Sequence, residues 1–152
     1  LDIVAANLNV NRENVSDLVD QVDLIVDCAP RFEERFAMQG EAARQRKPIV
    51  ECAMYDLESH LFSVVPSESA CLRCLYPDAP PAWKREFPVF GAVSGTVGCL
   101  AAMETIKLIS GIGQPLTNRM LLADLRSMHF REVRIQPRAG CPVCELAHRS
   151  GG

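Results

Sequence analysis

Two pairs of cysteines, each with two residues between its members, constrain the fold of this chain more than any other feature. The first pair is Cys71 and Cys74, and the second is Cys141 and Cys144. Each pair can present two thiolates to one metal ion, and four thiolates are a ligand set typical of structural zinc. A zinc ion held by all four would join the middle of the chain to its C-terminal part. Closing so long a loop is worth about 4 kcal/mol on the chain-entropy model.

A redox dithiol and two unrelated pairs of core cysteines are the alternatives to a zinc site. A redox pair usually lies where a strand meets a helix in a thioredoxin-like unit. Both pairs here follow loop-like segments, residues 66–70 and 137–140, that begin with proline. His148 is close to Cys144 in sequence and is an alternative fourth ligand. We expect one structural zinc ion per chain.

The composition is that of a globular protein in a reducing compartment. The 152 residues are 48% hydrophobic and 23% charged, which suits one domain. A formal charge of -3 and a pI of about 5.6 offer no basic surface for nucleic acid. The seven cysteines are odd in number and include two metal-type pairs, unlike a secreted disulfide framework. Glu104 and Lys107 interrupt the longest apolar run. We predict a cytoplasmic protein with neither nucleic acid nor membrane as a partner.

Strand and helix patterns alternate along the first half of the chain. Strands are predicted at residues 3–6, 23–28, 49–53, 61–65 and 120–124, and helices at residues 16–21, 32–46 and 95–112. Residues 23–28 are apolar on both faces and indicate a buried strand, whereas residues 129–135 alternate and are expected to pair antiparallel. Strand–helix–strand units at this spacing predict an α/β fold with a mostly parallel sheet.

The helix over residues 32–46 is expected to direct its charged side chains to solvent. These are Glu33, Glu34, Arg35 and Arg44. Residues 77–86 are rich in proline and charge and indicate either a plain surface loop or a substrate-gating loop.

Six segments occur in an order that is specific when taken together. They are residues 22–28 (VDLIVDC), 47–50 (KPIV), 71–75 (CLRCL), 91–98 (GAVSGTVG), 102–111 (AMETIKLISG) and 140–144 (GCPVC). Over residues 2–145 the chain closely resembles the C-terminal portion of the ThiF/MoeB/HesA family, the bacterial relatives of ubiquitin-activating enzymes. That resemblance implies an enzyme that binds MgATP, adenylates the C-terminal carboxylate of a ubiquitin-like β-grasp carrier protein and works as a homodimer. It also implies that Cys71, Cys74, Cys141 and Cys144 hold structural zinc.

The glycine-rich nucleotide loop and the basic phosphate ligands of that family would precede Leu1. We therefore expect residues 1–152 to be a single-domain fragment without the N-terminal nucleotide-binding βαβ unit. The expected fold is an incomplete Rossmann-like sheet with a four-cysteine zinc staple and an antiparallel strand extension. ATP and magnesium are expected only in the full-length protein, and the fragment alone is expected to be inactive. Gly91, Gly95 and Gly98 are assigned to close helix packing rather than to a phosphate loop.

A second departure lies where the relatives carry Thr-Asp-Asn, whose Asp meets magnesium and phosphate. This chain has Ala29-Pro30-Arg31 there, while Arg35 occupies the position of a family arginine. Pro30, Arg31 and Arg35 are therefore the candidates for nucleotide binding, by position only. Three roles are open for Arg35: a member of an ion pair, a charge on the helix surface, or a structural residue at the nucleotide site.

Nearby acids offer little to replace the missing aspartate. Asp27 is expected to be a strand-end or capping acid. Glu33 and Glu34 are either substitutes for the missing acid or part of a solvated helix face.

No cysteine stands in the loop where some relatives carry a catalytic thiol. Cys28, Cys52 and Cys99 are expected to be small buried hydrophobic residues. Two functions remain open: an active adenylyltransferase, and a catalytically degenerate relative that serves as a carrier-binding or dimerisation module. The C-terminal residues 150–152 (SGG) are interpreted as a tail rather than as a carrier terminus.

Overall fold

The computed structural model describes residues 2–80 and 86–149. Residues 81–85 of the predicted loop and the tail at residues 150–152 lie outside the described residues. The elements in chain order are α1 (Val15–Asp20), β1 (Ile25–Asp27), α2 (Phe32–Gln45), β2 (Ile49–Tyr55), β3 (Glu58–Val64), α3 (Leu72–Leu75), α4 (Gly91–Ser110), β4 (Arg119–Asp124), β5 (His129–Arg134) and α5 (Pro142–Arg149).

The five strands form one mixed sheet in the order β1-β2-β3-β4-β5. Only β1 and β2 are parallel, with Ile25 opposite Ile49, and α2 makes the crossover between them. The pairs β2–β3, β3–β4 and β4–β5 are antiparallel. The α/β class is confirmed, but the prediction of a mostly parallel sheet is wrong. Asp56 and Leu57 alone join β2 to β3, and so short a connection makes a hairpin, whereas a parallel pair needs a long crossover.

Successive side chains of a strand point to opposite faces of the sheet. In the central strands both sets include apolar residues, and helices cover both faces. Ile49 and Phe62 pack on one side with α2, α3 and α5. Val50 and Leu61 pack on the other side against α4. Residues 3–6 are not a strand, and Ile3 is 86% exposed.

β1 is shorter and less buried than the sequence predicts. It spans three residues, and Val26 at its centre is 41% exposed. The expectation that this strand is buried on both faces is therefore wrong.

Helix α4 starts at Gly91, four residues before the predicted start. It is long and apolar enough to cross a membrane by length and composition, contrary to the expectation that its charges prevent this. In this fold it packs on β2 and β3 through buried residues that include Val93, Val97 and Glu104. A Cβ added to Gly91, Gly95 or Gly98 would meet no atom within 4 Å. The assignment of these glycines to close helix packing is therefore not supported within the described residues.

Candidate functional site

The two cysteine pairs meet in one cluster although they are far apart in the chain. One potential ligand atom from each of the four residues lies within 4.8 Å of the others. The Sγ–Sγ distances are 3.7 Å for Cys71–Cys74, 3.6 Å for Cys71–Cys141, 3.4 Å for Cys74–Cys144 and 3.7 Å for Cys71–Cys144. A tetrahedral ion with metal–sulfur bonds near 2.3 Å requires sulfurs about 3.8 Å apart. The cluster can therefore hold a metal ion with little rearrangement.

Two short helices position these thiols. Cys71 is the residue before α3, and Cys141 is the residue before α5. The second cysteine of each pair follows within the first turn, so that both thiols of a pair point to the same side. Cys71 and Cys141 are buried at 2% and 1% exposure, and the backbone N–H of Arg138 donates to the Cys74 sulfur at 3.3 Å. His148, the alternative fourth ligand, is not part of the cluster.

A cavity of about 500 Å³ opens at the carboxyl ends of β1 and β2. Ligands of open α/β sheets commonly bind at this edge. Its lining comes from the segment after β1 and from β2, β3, α2, α3 and α4, and includes Cys28, Ala29, Pro30, Arg35, Cys52, His60, Leu72, Tyr76, Ser94 and Gly98. Because Leu72 and Tyr76 lie in or directly after α3, the helix that carries the first cysteine pair also forms part of the cavity wall.

The structure places two of the three residues predicted to bind nucleotide in the cavity lining and the third outside it. Pro30 and Arg35 line the cavity, whereas Arg31 is not among its lining residues. The Arg31 guanidinium instead pairs with Glu34 in the first turn of α2. Glu34 is 8% exposed, so the expectation that it faces solvent is wrong.

Arg35 is buried between two acids, which corrects its expected place on the solvent face of α2. Its Nη1 lies 3.4 Å from both Asp27 Oδ2 and Glu51 Oε2, and its Nη2 donates to the Cys52 carbonyl oxygen at 2.9 Å. Asp27 Oδ1 also accepts the Ala29 N–H at 2.8 Å, as expected for a strand-end acid. Both carboxylates are completely buried. Arg35 therefore forms ion pairs and also lines the cavity, so only the helix-surface role among its alternatives is wrong.

Burial raises the pKa of Asp27. Burial is also the main cause that raises the pKa of Glu51 well above its usual value, and the neighbouring Asp27 charge raises it as well. Arg35 acts in the opposite direction on both. One guanidinium thus faces two acids, and Glu51 Oε1 has no hydrogen-bond partner among the residues that the structure describes. Burial lowers the pKa of His60 to about 4, so this cavity residue is a neutral imidazole near neutral pH.

Glu51 was not identified from sequence, although a signal existed. Asp27 and Glu51 each follow two apolar strand residues, and the parallel register places them opposite each other. An arginine on the intervening helix then completes a buried triad. The prediction for the three cysteines outside the two pairs also needs correction, because Cys52 is buried as expected but Cys28 and Cys99 are exposed. The exposed Cys28 lies 3.4 Å, sulfur to sulfur, from Cys52.

Comparisons with known proteins show the family to which the chain belongs. The ThiF family profile matches residues 1–143. Protein HesA of Nostoc sp. is 44% identical over 89% of this chain and 54% of its own length. The adenylyltransferase and sulfurtransferase MOCS3 of Arabidopsis thaliana is 38% identical over 86% of this chain and 29% of its own length. The SAMP-activating enzyme E1 of Haloferax volcanii is 34% identical over 89% of this chain and 51% of its own length.

The fold also has counterparts among solved structures. Crystalline E. coli MccB with ATP superposes with a TM-score of 0.72 at 18% identity, covering 93% of this chain and 45% of MccB. This likeness shows a shared fold. The chain spans about half the length of the HesA relatives it matches.

Proposed function

Because this chain belongs to the ThiF family, we propose that the full-length protein is an ATP-dependent adenylyltransferase acting on the C-terminal carboxylate of a ubiquitin-like carrier. The observation that carries this proposal is the family match across residues 1–143, which includes the cavity at the ends of β1 and β2. Relatives named as an adenylyltransferase and as a SAMP-activating enzyme support it. Structures of E. coli MccB with ATP and with MccA support a nucleotide and a second ligand for a protein of this fold.

The residues of the cavity suit positioning better than acid–base chemistry. Arg35 is held by Asp27 and Glu51, and His60 stays neutral because burial lowers its pKa to about 4. We propose that catalysis depends on alignment of the carboxylate with the α-phosphate and on electrostatic stabilisation there, as in other phosphoryl and nucleotidyl transfers.

This chain departs from the family resemblance at the position of the magnesium ligand. Pro30 stands where the family resemblance places the magnesium-binding acid, and both oxygens of the neighbouring Asp27 are engaged inside the protein. The described residues therefore do not supply that ligand at this position. We propose that the ATP- and magnesium-binding residues lie mainly in an N-terminal βαβ unit of the full-length protein, since this chain spans only about half the length of HesA.

Pyrophosphate exchange tests the proposed activity. Full-length protein, MgATP and a small β-grasp protein ending in Gly-Gly should give exchange that depends on the carrier. Pro30→Asp restores a carboxylate at the magnesium position and should raise exchange by about tenfold, the equivalent of about 1.4 kcal/mol. Pro30→Asn is the matched control of similar shape without charge and should give no such rise. Absence of exchange in the wild type and in Pro30→Asp would contradict the proposal.

A carrier-binding module without catalysis is the second candidate, favoured specifically by Pro30. Under this alternative the wild-type protein binds the carrier but does not exchange pyrophosphate. Carrier titration by calorimetry, run beside the exchange assay, separates the two functions. Binding without exchange that becomes exchange in Pro30→Asp would establish the degenerate relative.

We also propose that the four-cysteine cluster binds structural zinc. Four thiols with the spacing of a tetrahedron are the chemistry that zinc prefers, and the cluster lies within the hydrophobic core beside α2. The ion would orient α3 and α5 and, through Leu72 and Tyr76, support the cavity wall.

We propose that the full-length protein is a homodimer. We also propose that it is located in the cytoplasm. Support comes from the apolar outer face of α4, where Met103, Ile106 and Ile109 are 49%, 45% and 72% exposed. Faces of this kind commonly mark interfaces. Light scattering should give a dimer mass for full-length protein, and Ile106→Lys should shift it towards monomer while the exposed Glu132→Lys should not. A monodisperse wild-type monomer would contradict the proposal.

A further inference from the structure

Cys28 and Cys52 form a second pair of thiols that is separate from the four-cysteine cluster. Their sulfurs lie 3.4 Å apart, and both residues line the cavity. Asp27 is opposite Glu51 in the parallel register of β1 and β2. Cys28 and Cys52 are the next residues after this pair, so they lie side by side on adjacent segments of the same chain. Neighbouring strands are about 4.8 Å apart, which lies within the Cα separation that a disulfide spans. The two residues can therefore form a disulfide with little backbone movement.

The two thiols differ in access and in electrostatic environment. Cys28 is exposed and Cys52 is buried. The Cys52 thiol can donate its proton to the Cys28 sulfur or to the Asp27 carbonyl oxygen, which is 3.2 Å away. The hydrogen bond from Cys52 is the main cause that lowers the pKa of Cys28 to about 7, and the Arg35 charge adds to it, while burial and the Asp27 charge oppose it. Cys28 is thus the accessible nucleophile and Cys52 the buried partner within reach.

We propose that Cys28 and Cys52 are a redox-sensitive dithiol that closes to an intramolecular disulfide on reaction with a small-molecule disulfide. The Cys28 thiolate attacks one sulfur of the small disulfide, forms a mixed disulfide and releases one small thiolate. Cys52 then loses its proton to solvent and attacks the Cys28 sulfur, which displaces the second small thiolate. Two protein thiols are oxidised, and one small disulfide is reduced to two thiols.

The disulfide would change the cavity directly. It would draw the two sulfurs from 3.4 Å to about 2 Å and remove both the Cys28 thiolate and the Cys52 donor from the cavity lining. It would also join the chain after β1 to β2 at the level of the buried triad. The oxidised and reduced forms thus present different surfaces to whatever enters the cavity.

Mapping of disulfides after oxidation tests the proposal. Metal-loaded full-length protein is treated with oxidised glutathione, alkylated and digested with trypsin and a glutamate-specific protease. Cleavage after Glu51 and Glu58 releases residues 52–58 and so separates Cys52 from Cys71. The expected product is a linked pair of peptides that contain Cys28 and Cys52, and a reductant should separate them. Wild-type protein that keeps glutathione on Cys28, or that leaves both thiols free, overturns the proposal.

Three variants assign the order of attack. Cys52→Ser should accumulate a lasting Cys28–glutathione adduct because no thiol resolves it, and Cys28→Ser should leave Cys52 unmodified. Cys99→Ser is the matched control, since Cys99 is exposed but is not in this pair, and it should give the same yield of linked peptides as the wild type. Equal reaction of Cys52 with and without Cys28 would overturn the assigned order.

Discussion

At the scale of single residues, Arg35 is the side chain whose role depends most on its surroundings. Its 8% exposed side chain faces two acids of 0% exposure, whereas Arg44 on the same helix is 54% exposed beside Glu41. Removing one partner of a buried ion pair leaves an uncompensated buried charge and lowers stability, whereas an ion pair on the surface contributes little to the free energy of unfolding. Two arginines of one helix should thus differ greatly in their effect on stability.

Arg35→Met should lower the free energy of unfolding by about 3 to 5 kcal/mol, because Asp27 and Glu51 then remain buried without a cation. The matched substitution Arg44→Met should change it little, since water replaces the ion pair. Urea denaturation followed by circular dichroism measures both. Similar losses in the two variants would refute the structural role assigned to Arg35.

At the scale of elements, α4 is attached to the sheet by a buried acid as well as by apolar contacts. Glu104 Oε2 accepts the Ser63 hydroxyl at 2.8 Å and the Leu116 N–H at 2.7 Å, and Lys107 Nζ lies 2.5 Å from Oε1. One side chain thereby joins the helix, β3 and the segment before β4. A helix of this hydropathy can bury an acid only because each oxygen has a donor.

Glu104→Ala should cost about 2 to 4 kcal/mol of stability, because buried donors on Ser63 and Leu116 lose their acceptor. Glu13→Ala removes an exposed glutamate outside the face of α4 that is proposed as the dimer interface, and it should stay within about 0.5 kcal/mol of the wild type. The comparison uses urea unfolding of both variants under the same conditions. A loss in Glu13→Ala as large as that in Glu104→Ala would show that the buried acid does not hold α4 to the sheet.

At the scale of the whole molecule, the cysteine cluster joins the mid-chain segment at α3 to the C-terminal helix α5. Ser67 Oγ also donates to the Ala147 carbonyl oxygen at 3.0 Å, so a hydrogen bond supports the same connection. A bound ion would restrict the unfolded chain through a long loop, as a disulfide does.

Elemental analysis of purified protein should find zinc near one equivalent per chain, and Cys141→Ser should lower both the zinc content and the melting temperature. The loss should reach about 4 kcal/mol if the loop is released entirely. Cys99→Ser, outside the cluster, should keep both values. Full zinc in a Cys71→Ser/Cys141→Ser double variant would exclude this site.

Local patterns predicted the elements well where the signal was itself local. The predicted helix over residues 32–46 differs from α2 (Phe32–Gln45) by one residue, because proline at position 48 and helix periodicity act over a few residues. The prediction for residues 3–6 is wrong because a short apolar run forms a strand only when a neighbouring strand pairs with it. The direction of β3 relative to β2 could have been inferred from the seven residues between the two predicted strands, 49–53 and 61–65, because a parallel crossover needs a dozen or more; the α/β alternation obscured this.

The sequence by itself determined the family, the α/β class and the pairing of cysteines that converge in the cluster, because these depend on residue types at set spacings. Only the tertiary structure decided that Arg35 is buried between Asp27 and Glu51 and that Cys28 lies beside Cys52. Both arrangements arise from the parallel register of β1 and β2, which long-range packing against α2 and α4 selects. A side chain's burial and partners are properties of that register, and no short window of sequence contains them.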